Sequence, residues 1–404
     1  MFAPDSRRVA FARVLGEEAH ELYVGEVMER GQEVRVTDDS RVLAGHDWTP
    51  DGQHLVFSSN RSGRFGLWTV PVAETPPQTA AVFVDAVSLP EPRWIETGLS
   101  DARQPSMAAE GHRMLFAQDQ RDTNLWMASL QTTDVARPFI QSTRRDERGH
   151  VSPDGRRIAF VSERSGYPEL WLADRDGQHP VQATRFEGTT LDAPRWSPDG
   201  RRLAFSARPD GHIDVFLLDV DSGLLRQLTT ASSDDGLPRW SRDGERLYFT
   251  SNQSGQWAIW SMPAEGGPMI QETEDGLVAE ERSDGRGLLF TRPDSAGLWW
   301  RPEPGAAPQR FAEHPGEHDW ANWTVGTSGA YVLRRVGGRV TLDLVDYETG
   351  AVRTVTTLAE HSERAVPWGQ ASLALLPDET HLLFTRTDSY NGDLWLIDLP
   401  DNER

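Results

Sequence analysis

The chain has 404 residues, a net charge of −21 and a pI near 4.9, a balance without the cationic face that sequence-independent nucleic-acid binding or docking on anionic membranes requires. It contains no cysteine, and all 41 of its basic residues are arginine, so disulfides, thiolate chemistry, lysine Schiff bases and a P-loop lysine are excluded together. No apolar run approaches the roughly 20 residues that span a bilayer.

Met1-Phe-Ala-Pro-Asp5 enters a repeated phrase at once, with no basic and apolar leader before it. That opening reads as a piece of a longer chain, cytoplasmic as written and periplasmic if an anchor was lost upstream. The phrase returns as Trp48-Thr-Pro-Asp-Gly52, Val151-Ser-Pro-Asp-Gly155, Trp196-Ser-Pro-Asp-Gly200, Trp240-Ser-Arg-Asp-Gly244 and Leu376-Pro-Asp378. Each copy precedes a short apolar strand, and Asp154, Asp199, Asp243 and Asp284 fall at intervals of 45, 44 and 41 residues. A period near forty with several strands per period is the signature of a β-propeller.

One unit, 192–230, shows the construction. Asp192 to Ser197 is an inner strand, Pro198-Asp-Gly200 a tight turn, and Arg202 to Ser206 a second strand. Ile213 to Leu218 and Leu224 to Leu228 supply the third and fourth, completing a four-stranded antiparallel blade. The third strand carries an aromatic at one fixed place: Tyr23, Trp68, Trp126, Trp171, Phe216, Trp260, Trp299 and Trp395. A large ring at one place per blade is expected to fill the space between blades.

With no linker in the sequence, the expectation is an all-β chain forming one propeller domain over 1–404. Eight blades are favoured, and nine are the alternative, since nine units are visible. In the eight-bladed form, residues 1–39 hold a partial first unit, and Glu33 to Thr37 close the ring by pairing with the blade of Leu394 to Ile397.

The residue just before the inner-strand tryptophan is Asp47, Ser106, His150, Arg195, Arg239 and Glu280 in successive units. Inner strands surround a channel, so these side chains are expected near its mouth. Arg195 and Arg239 then suit a carboxylate or a peptide C-terminus, which guanidinium forks bind bidentately. Inter-blade ion pairing is the competing reading of Arg195, Arg239 and Glu280. A second candidate surface is the rim of loops between second and third strands, with Arg61 and Phe65, Arg164 and Tyr167, Arg208 and His212, and Trp257. Arginine and aromatic side chains of this kind are enriched in interface hot spots.

Catalytic signatures are absent from the sequence. There is no Gly-x-Ser-x-Gly elbow, and Pro315-Gly316 forbids the helix that would aim His314 and His318 at one metal. Asp174-Arg-Asp-Gly177 and Asp219-Val-Asp-Ser-Gly223 lack the closing glutamate of a calcium loop. No catalysis, cofactor or metal is expected.

The string Pro153-Asp-Gly-Arg-Arg-Ile-Ala-Phe-Val-Ser-Glu-Arg-Ser-Gly166, with Glu169-Leu-Trp171 and Pro194-Arg-Trp-Ser-Pro-Asp-Gly200, resembles the WD40-like (PD40) repeats of TolB-like propellers. Asp122-Thr-Asn-Leu-Trp126, Phe249 to Trp257 and Met262-Pro-Ala-Glu-Gly-Gly267 are similar to the C-terminal propeller of bacterial winged-helix transcriptional regulators. This chain has neither their DNA-binding domain nor their membrane helix. The resemblance implies a non-catalytic propeller that binds a protein or a small anionic ligand, as the sensory or scaffold part of a regulatory system. The alternatives are a TolB-like envelope accessory that docks a partner protein and, after it, a lyase or hydrolase with a channel site.

Overall fold

The computed structural model describes residues 1–404 except 17–18, 28–32, 38–41, 63–64, 73–88, 98, 100, 111–112, 133, 187, 210, 361–365, 367–371 and 400–404. Its described residues are almost wholly antiparallel β-strands, with one short 3₁₀ turn at Glu317–Asp319. The repeated turn explains why its residue types recur. The Ser152 hydroxyl donates to Asp154 Oδ1 at 2.6 Å, the same oxygen accepts from Arg156 N at 3.1 Å, and Ser152 Oγ accepts from Arg157 N at 2.9 Å. Gly155 closes the turn at φ 69°, where a side chain would be strained. Ser241, Asp243 and Gly244 repeat this arrangement, as do Thr49, Asp51 and Gly52.

The chain divides into two compact units: 1–120 with 390–404, and 121–389. Two long strands, Arg113–Ser129 and His381–Asp398, contribute to both and are hydrogen-bonded neighbours.

The first unit stacks three sheets. The first is Arg8–Gly16, Ala19–Glu26 and Val34–Arg35. The second is Leu43–Trp48, His54–Ser59, Gly66–Pro71 and Arg93–Trp94. The third holds Ala102–Met107, the beginning of Arg113–Ser129 and the end of His381–Asp398, whose Ile397 packs with Met114 and Phe116. Val34 and Arg35 pair with Val24 and Tyr23, on their own sheet. Glu33 to Thr37 therefore do not make the expected ring-closing contact with Leu394 to Ile397: the sequence between Glu26 and Val34 is short enough to turn straight back. Nor is the opening segment a partial blade without a home. Ala10, Leu22 and Val24 are buried in one core with Trp48, Leu55 and Phe57.

The second unit contains five four-stranded sheets, starting at Asp146, Leu191, Asp235, Ala279 and Trp323. Its sixth sheet is composite: Leu373–Leu375 and the beginning of His381–Asp398 are joined by the end of Arg113–Ser129 and by Arg137–Ile140. The innermost strands neighbour one another in cyclic order, and Leu373–Leu375 lies between Trp323–Val325 and Asp146–Val151. A strand pair from late in the chain and one from early in the chain thus complete the sheet that closes this ring, leaving no open edge there. The β-propeller class is the one expected; the ring that closes here counts six sheets within 121–389, not eight or nine, and its joint falls at a place the repeat pattern does not mark.

Adjacent sheets are tied by one repeated device. Trp196 Nε1 donates to His150 O at 3.1 Å, and Trp240 Nε1 donates to Arg195 O at 2.9 Å. Arg157 lies 4.7 Å over the Trp196 ring and donates to Gly200 O at 2.7 Å. In the first unit Arg8, Trp48 and Gly52 repeat it. The inner-strand tryptophan is therefore a stitch to the sheet before it. The third-strand aromatics also serve packing, since Trp68, Trp171, Trp260 and Trp299 are half-buried against hydrophobic clusters.

Candidate functional site

Each inner strand of the second unit beginning at Asp146, Leu191 or Asp235 carries a β-bulge just before the residue that precedes the tryptophan position. The register slips by one between Glu147 and His150, Asp192 and Arg195, and Gly236 and Arg239. Arg148 and Leu237 sit in the bulge at φ 57° and 52°, an uncommon conformation for bulky side chains. A bulge of this kind re-aims the side chains beyond it along the strand. His150, Arg195, Arg239 and Glu280 thereby occupy equivalent places on successive inner strands.

This place has a structural job in three of the sheets. His150 Nδ1 accepts from Trp196 N at 3.3 Å, across to the next inner strand. Glu280 Oε2 accepts from Val325 N at 3.0 Å, again on the next inner strand. Within the first unit, Asp47 Oδ2 accepts from Met107 N at 2.9 Å. The position calls for an acceptor, and a guanidinium has none. Arg195 and Arg239 therefore break the rule of their own repeat.

The two arginines differ in how they are held. Arg239 Nε donates to Glu280 Oε1 at 3.0 Å, and Nη1 donates to Pro238 O at 3.1 Å. Its Nη2 is buried with no hydrogen-bond partner in the structure. Arg195 is 4% exposed; Nη1 donates to Pro194 O at 3.0 Å, and the buried Nε has no hydrogen-bond partner among the described residues. Among the described residues no carboxylate pairs with Arg195. Burial, with the positive charge of Arg239 beside it, pulls Arg195 well below the ordinary arginine range, while Glu280 and Asp192 act against that shift. His150 is held well below the usual histidine range by burial and then by Arg195 and Arg239, so it is neutral at pH 7. Arg148, beside this group, pairs with Asp192 at 2.9 Å and with Glu147 at 2.8 Å. The centre of the cluster is two buried guanidinium groups with donors to spare, one paired with Glu280, with Asp192 acting on both from its pair with Arg148.

The structure brings His150, Arg195, Arg239 and Glu280 together, as the repeat alignment anticipates. Asp47 belongs to the first unit, where its carboxylate serves Trp48 N and Met107 N. Of the two arginines, Arg239 forms the inter-sheet ion pair with Glu280, and Arg195 has no carboxylate partner among the described residues. The bulge residues Arg148 and Leu237, and Asp192 beside them, went unread in the sequence. The only signal was a variable position two residues ahead of the aligned one, occupied by Gly45, Gln104, Arg148 and Leu237.

The loop side chains are mostly turned onto their own sheets. Arg208 is buried, 3.6 Å from Asp234 and donating to Gly211 O, so it is not the exposed rim residue expected. Arg164 binds Asp146 at 3.0 Å and lies over Phe160. Arg61 lies over Phe57 and Trp68, and Phe65 is covered by Arg103 at 3.7 Å. Tyr167 and Trp257 are half-buried, and His212 is exposed. Arg61 and Arg164 share a cause: each lies two residues beyond its second strand and reaches that strand's own aromatic, Arg164 also the carboxylate that opens its inner strand.

His318 lies in the short 3₁₀ turn whose Asp319 is engaged by Arg335 at 2.6 Å. No group of three potential metal-ligating side chains occurs among the described residues. A shallow cleft of about 230 Å³ is lined by Arg310, Phe311, Glu313, His314 and Val352. Arg310 is already paired there with Glu313 at 3.1 Å.

Repeated four-stranded sheets with inner strands in cyclic order define a β-propeller repeat protein. The chain belongs to the TolB beta propeller domain family (PD40), which matches residues 1–190 and 149–297. Among solved structures it is similar to a putative TolB from Agrobacterium tumefaciens, with 17% identity over 93% of this chain and 100% of that one, at a TM-score of 0.36. TolB from Acinetobacter baumannii shares 15% identity over 87% of this chain and 67% of that one, at 0.35. An oligogalacturonate lyase in complex with manganese shares 14% over 74% and 96%, at 0.46.

Proposed function

We propose that the chain is a non-catalytic, TolB-like binding propeller whose second unit captures an anionic group at Arg195 and Arg239. The group is the carboxylate of a protein partner or of a small ligand. One observation carries this reading: two adjacent inner strands place a buried, donor-rich guanidinium where His150, Glu280 and Asp47 place an acceptor. Local rules of a fold are broken most often where function asks for it. A carboxylate would take up the free donors at Arg195 Nε and Arg239 Nη2 and offset the second positive charge, gaining charge-assisted hydrogen bonds in a dry setting. The sensory or scaffold role in a regulatory system rests on the likeness of the repeat strings to regulator propellers; an envelope accessory role fits the same geometry equally well.

The test is calorimetric titration with citrate, acetate and short peptides carrying either a free or an amidated C-terminus. Carboxylate probes should bind and release heat, amidated peptides should not, and Arg195→Met should abolish the response. Equal binding of free and amidated peptides, or full binding by the Arg195→Met protein, would refute the assignment.

A further inference from the structure

Two buried carboxylates meet in the second unit where the sheet starting at Leu191 joins the sheet starting at Asp235. Asp214 opens the third strand of the one, and Asp235 opens the inner strand of the other. Backbone contacts fix the meeting: Asp235 N donates to Ile213 O at 2.6 Å, and Ile213 N donates to Asp234 Oδ1 at 2.8 Å. Asp214 is 4% exposed and Asp235 0%. Burial raises the pKa of both, and the hydroxyls of Ser251, Ser233 and Thr229 act against that rise at Asp235. The Thr229 hydroxyl also donates to Asp214 Oδ1 at 2.9 Å, so one side chain reaches both carboxylates.

Counterparts in the repeat show what this junction lacks. Register sets Asp146 opposite Ser162 and Asp235 opposite Ser251, so the two aspartates hold equivalent places. Asp146 receives the Ser162 hydroxyl at 2.6 Å and Arg164 Nη2 at 3.0 Å. In the place of Arg164 stands Gln253, whose side-chain amide turns to Met269 Sδ at 3.6 Å. Glu169 and Asp214 are equivalent in the same way, and the sheet after Glu169 opens with Leu191, an apolar residue. The junction of Asp214 and Asp235 therefore gathers two carboxylates and loses the arginine. Asp235 Oδ1 accepts from the Ser233 hydroxyl at 3.2 Å, while Oδ2 is buried with no hydrogen-bond partner among the described residues. Nearby Arg208 lies 3.6 Å from Asp234, and His212 is exposed. Buried charges of this kind are paired or coordinate a metal.

We infer that Asp214 and Asp235 bind a hard divalent cation of calcium's size. The donors are all oxygen: two carboxylates, with the hydroxyls of Thr229, Ser233 and Ser251 about them. Calcium accepts about six to eight such oxygens in adaptable geometry, whereas magnesium demands a strict octahedron and gives up its water reluctantly. Two like charges that repel in a dry setting become a neutral site with a doubly charged ion between them. Gln227, exposed on the outer strand, donates Nε2 to Asp214 Oδ2 at 3.1 Å, and rotation of that side chain would open the carboxylate to solvent. The ion clamps the third strand of one sheet to the inner strand of the next, and these are the sheets that carry Arg195 and Arg239.

Thermal unfolding of the full chain, stripped with a chelator and dialysed at neutral pH, tests this directly. Calcium chloride should raise the melting temperature by about 4 °C at about 100 times its half-saturation concentration. Magnesium or sodium chloride at matched ionic strength should not. Asp235→Asn and Asp214→Asn each remove a buried like charge, so both proteins should fold, and both should lose the calcium response. Gln253→Arg puts back the arginine of the equivalent sheet; it should be more stable than the wild type without calcium and indifferent to calcium. A wild-type chain that ignores calcium, an equal response to magnesium or sodium, or a full calcium response in Asp235→Asn would each overturn the inference.

Discussion

Arg195 and Arg239 look alike in sequence and sit at equivalent places, yet their replacement by methionine should move stability in opposite directions. Arg195 has a buried donor with no partner, a like charge beside it and no carboxylate pairing with it. A buried unsatisfied donor costs about 1–3 kcal/mol. Methionine keeps most of the aliphatic stem and its packing. The expected gain is about 1–2 kcal/mol. For a unit of roughly 270 residues the unfolding entropy is near 0.6 kcal/mol per degree, so the melting temperature should rise by about 2–4 °C. Arg239→Met instead leaves Glu280 half-buried without its counterion, and breaking one side of a buried pair costs about 3–5 kcal/mol, or about 5–9 °C. Differential scanning calorimetry in low-salt buffer without carboxylates reads both changes. Loss of stability in Arg195→Met comparable to that in Arg239→Met would show that both arginines are struts, and the binding assignment would fall with it.

Glu280→Gln should leave Arg239 without its ion-pair partner and lower the melting temperature, and millimolar citrate should recover part of the loss by supplying the missing charge. Asp214 is raised to about 6 by burial, with Asp235 adding to the effect. A carboxyl whose folded pKa is raised contributes most below its unfolded value near 4, and that contribution is lost as pH rises through about 6. Asp214→Asn should therefore flatten the decline in urea-measured stability between pH 4 and 7. The turn carboxylates Asp154, Asp199 and Asp243 are held low, chiefly by the serine hydroxyls of their own turns. Their contribution is present above about pH 4 and lost as pH falls below it, so replacing all three with asparagine should lower stability at neutral pH and move the acid-unfolding midpoint to higher pH. Deleting 1–30 should uncover Trp48, Leu55 and Phe57 and cause aggregation in light scattering, the opposite of what a homeless opening segment would do.

How much of the fold was legible in the sequence depends on where the information lies. Turn chemistry is local: a serine, an aspartate and a glycine within four residues satisfy one another, so every strong turn copy was readable and each placed a second strand after it. The inner-strand tryptophan and the third-strand aromatic were readable for the same reason. Closure is not local. The composite sheet pairs residues near 125 with residues near 385, and both segments look like ordinary second and third strands. Only their hydrogen-bonding neighbours differ, and no residue type records that. The bulges at Arg148 and Leu237 were hidden likewise, because a left-handed arginine or leucine is imposed by the strand beside it and not by its own preference.

The candidate site lay between these two cases. Aligning one position per repeat brought out His150, Arg195, Arg239 and Glu280, but the alignment alone made them a mixture of signs without meaning. The structure supplies the rule behind the mixture: His150 and Glu280 accept an N–H from the next inner strand, as Asp47 does in the first unit. Measured against that rule, the set separates into acceptors that hold sheets together, one arginine tied to a carboxylate, and one arginine with no carboxylate partner among the described residues. In a repeat protein the fold states its own expectation several times over. A residue that departs from it is more informative than any single motif, because the counterparts show what the position does when structure alone is served. Arg195 is that residue here. Had it been glutamate or histidine, it could accept an N–H as its counterparts do, and the buried donor on which the proposed anion site rests would not exist.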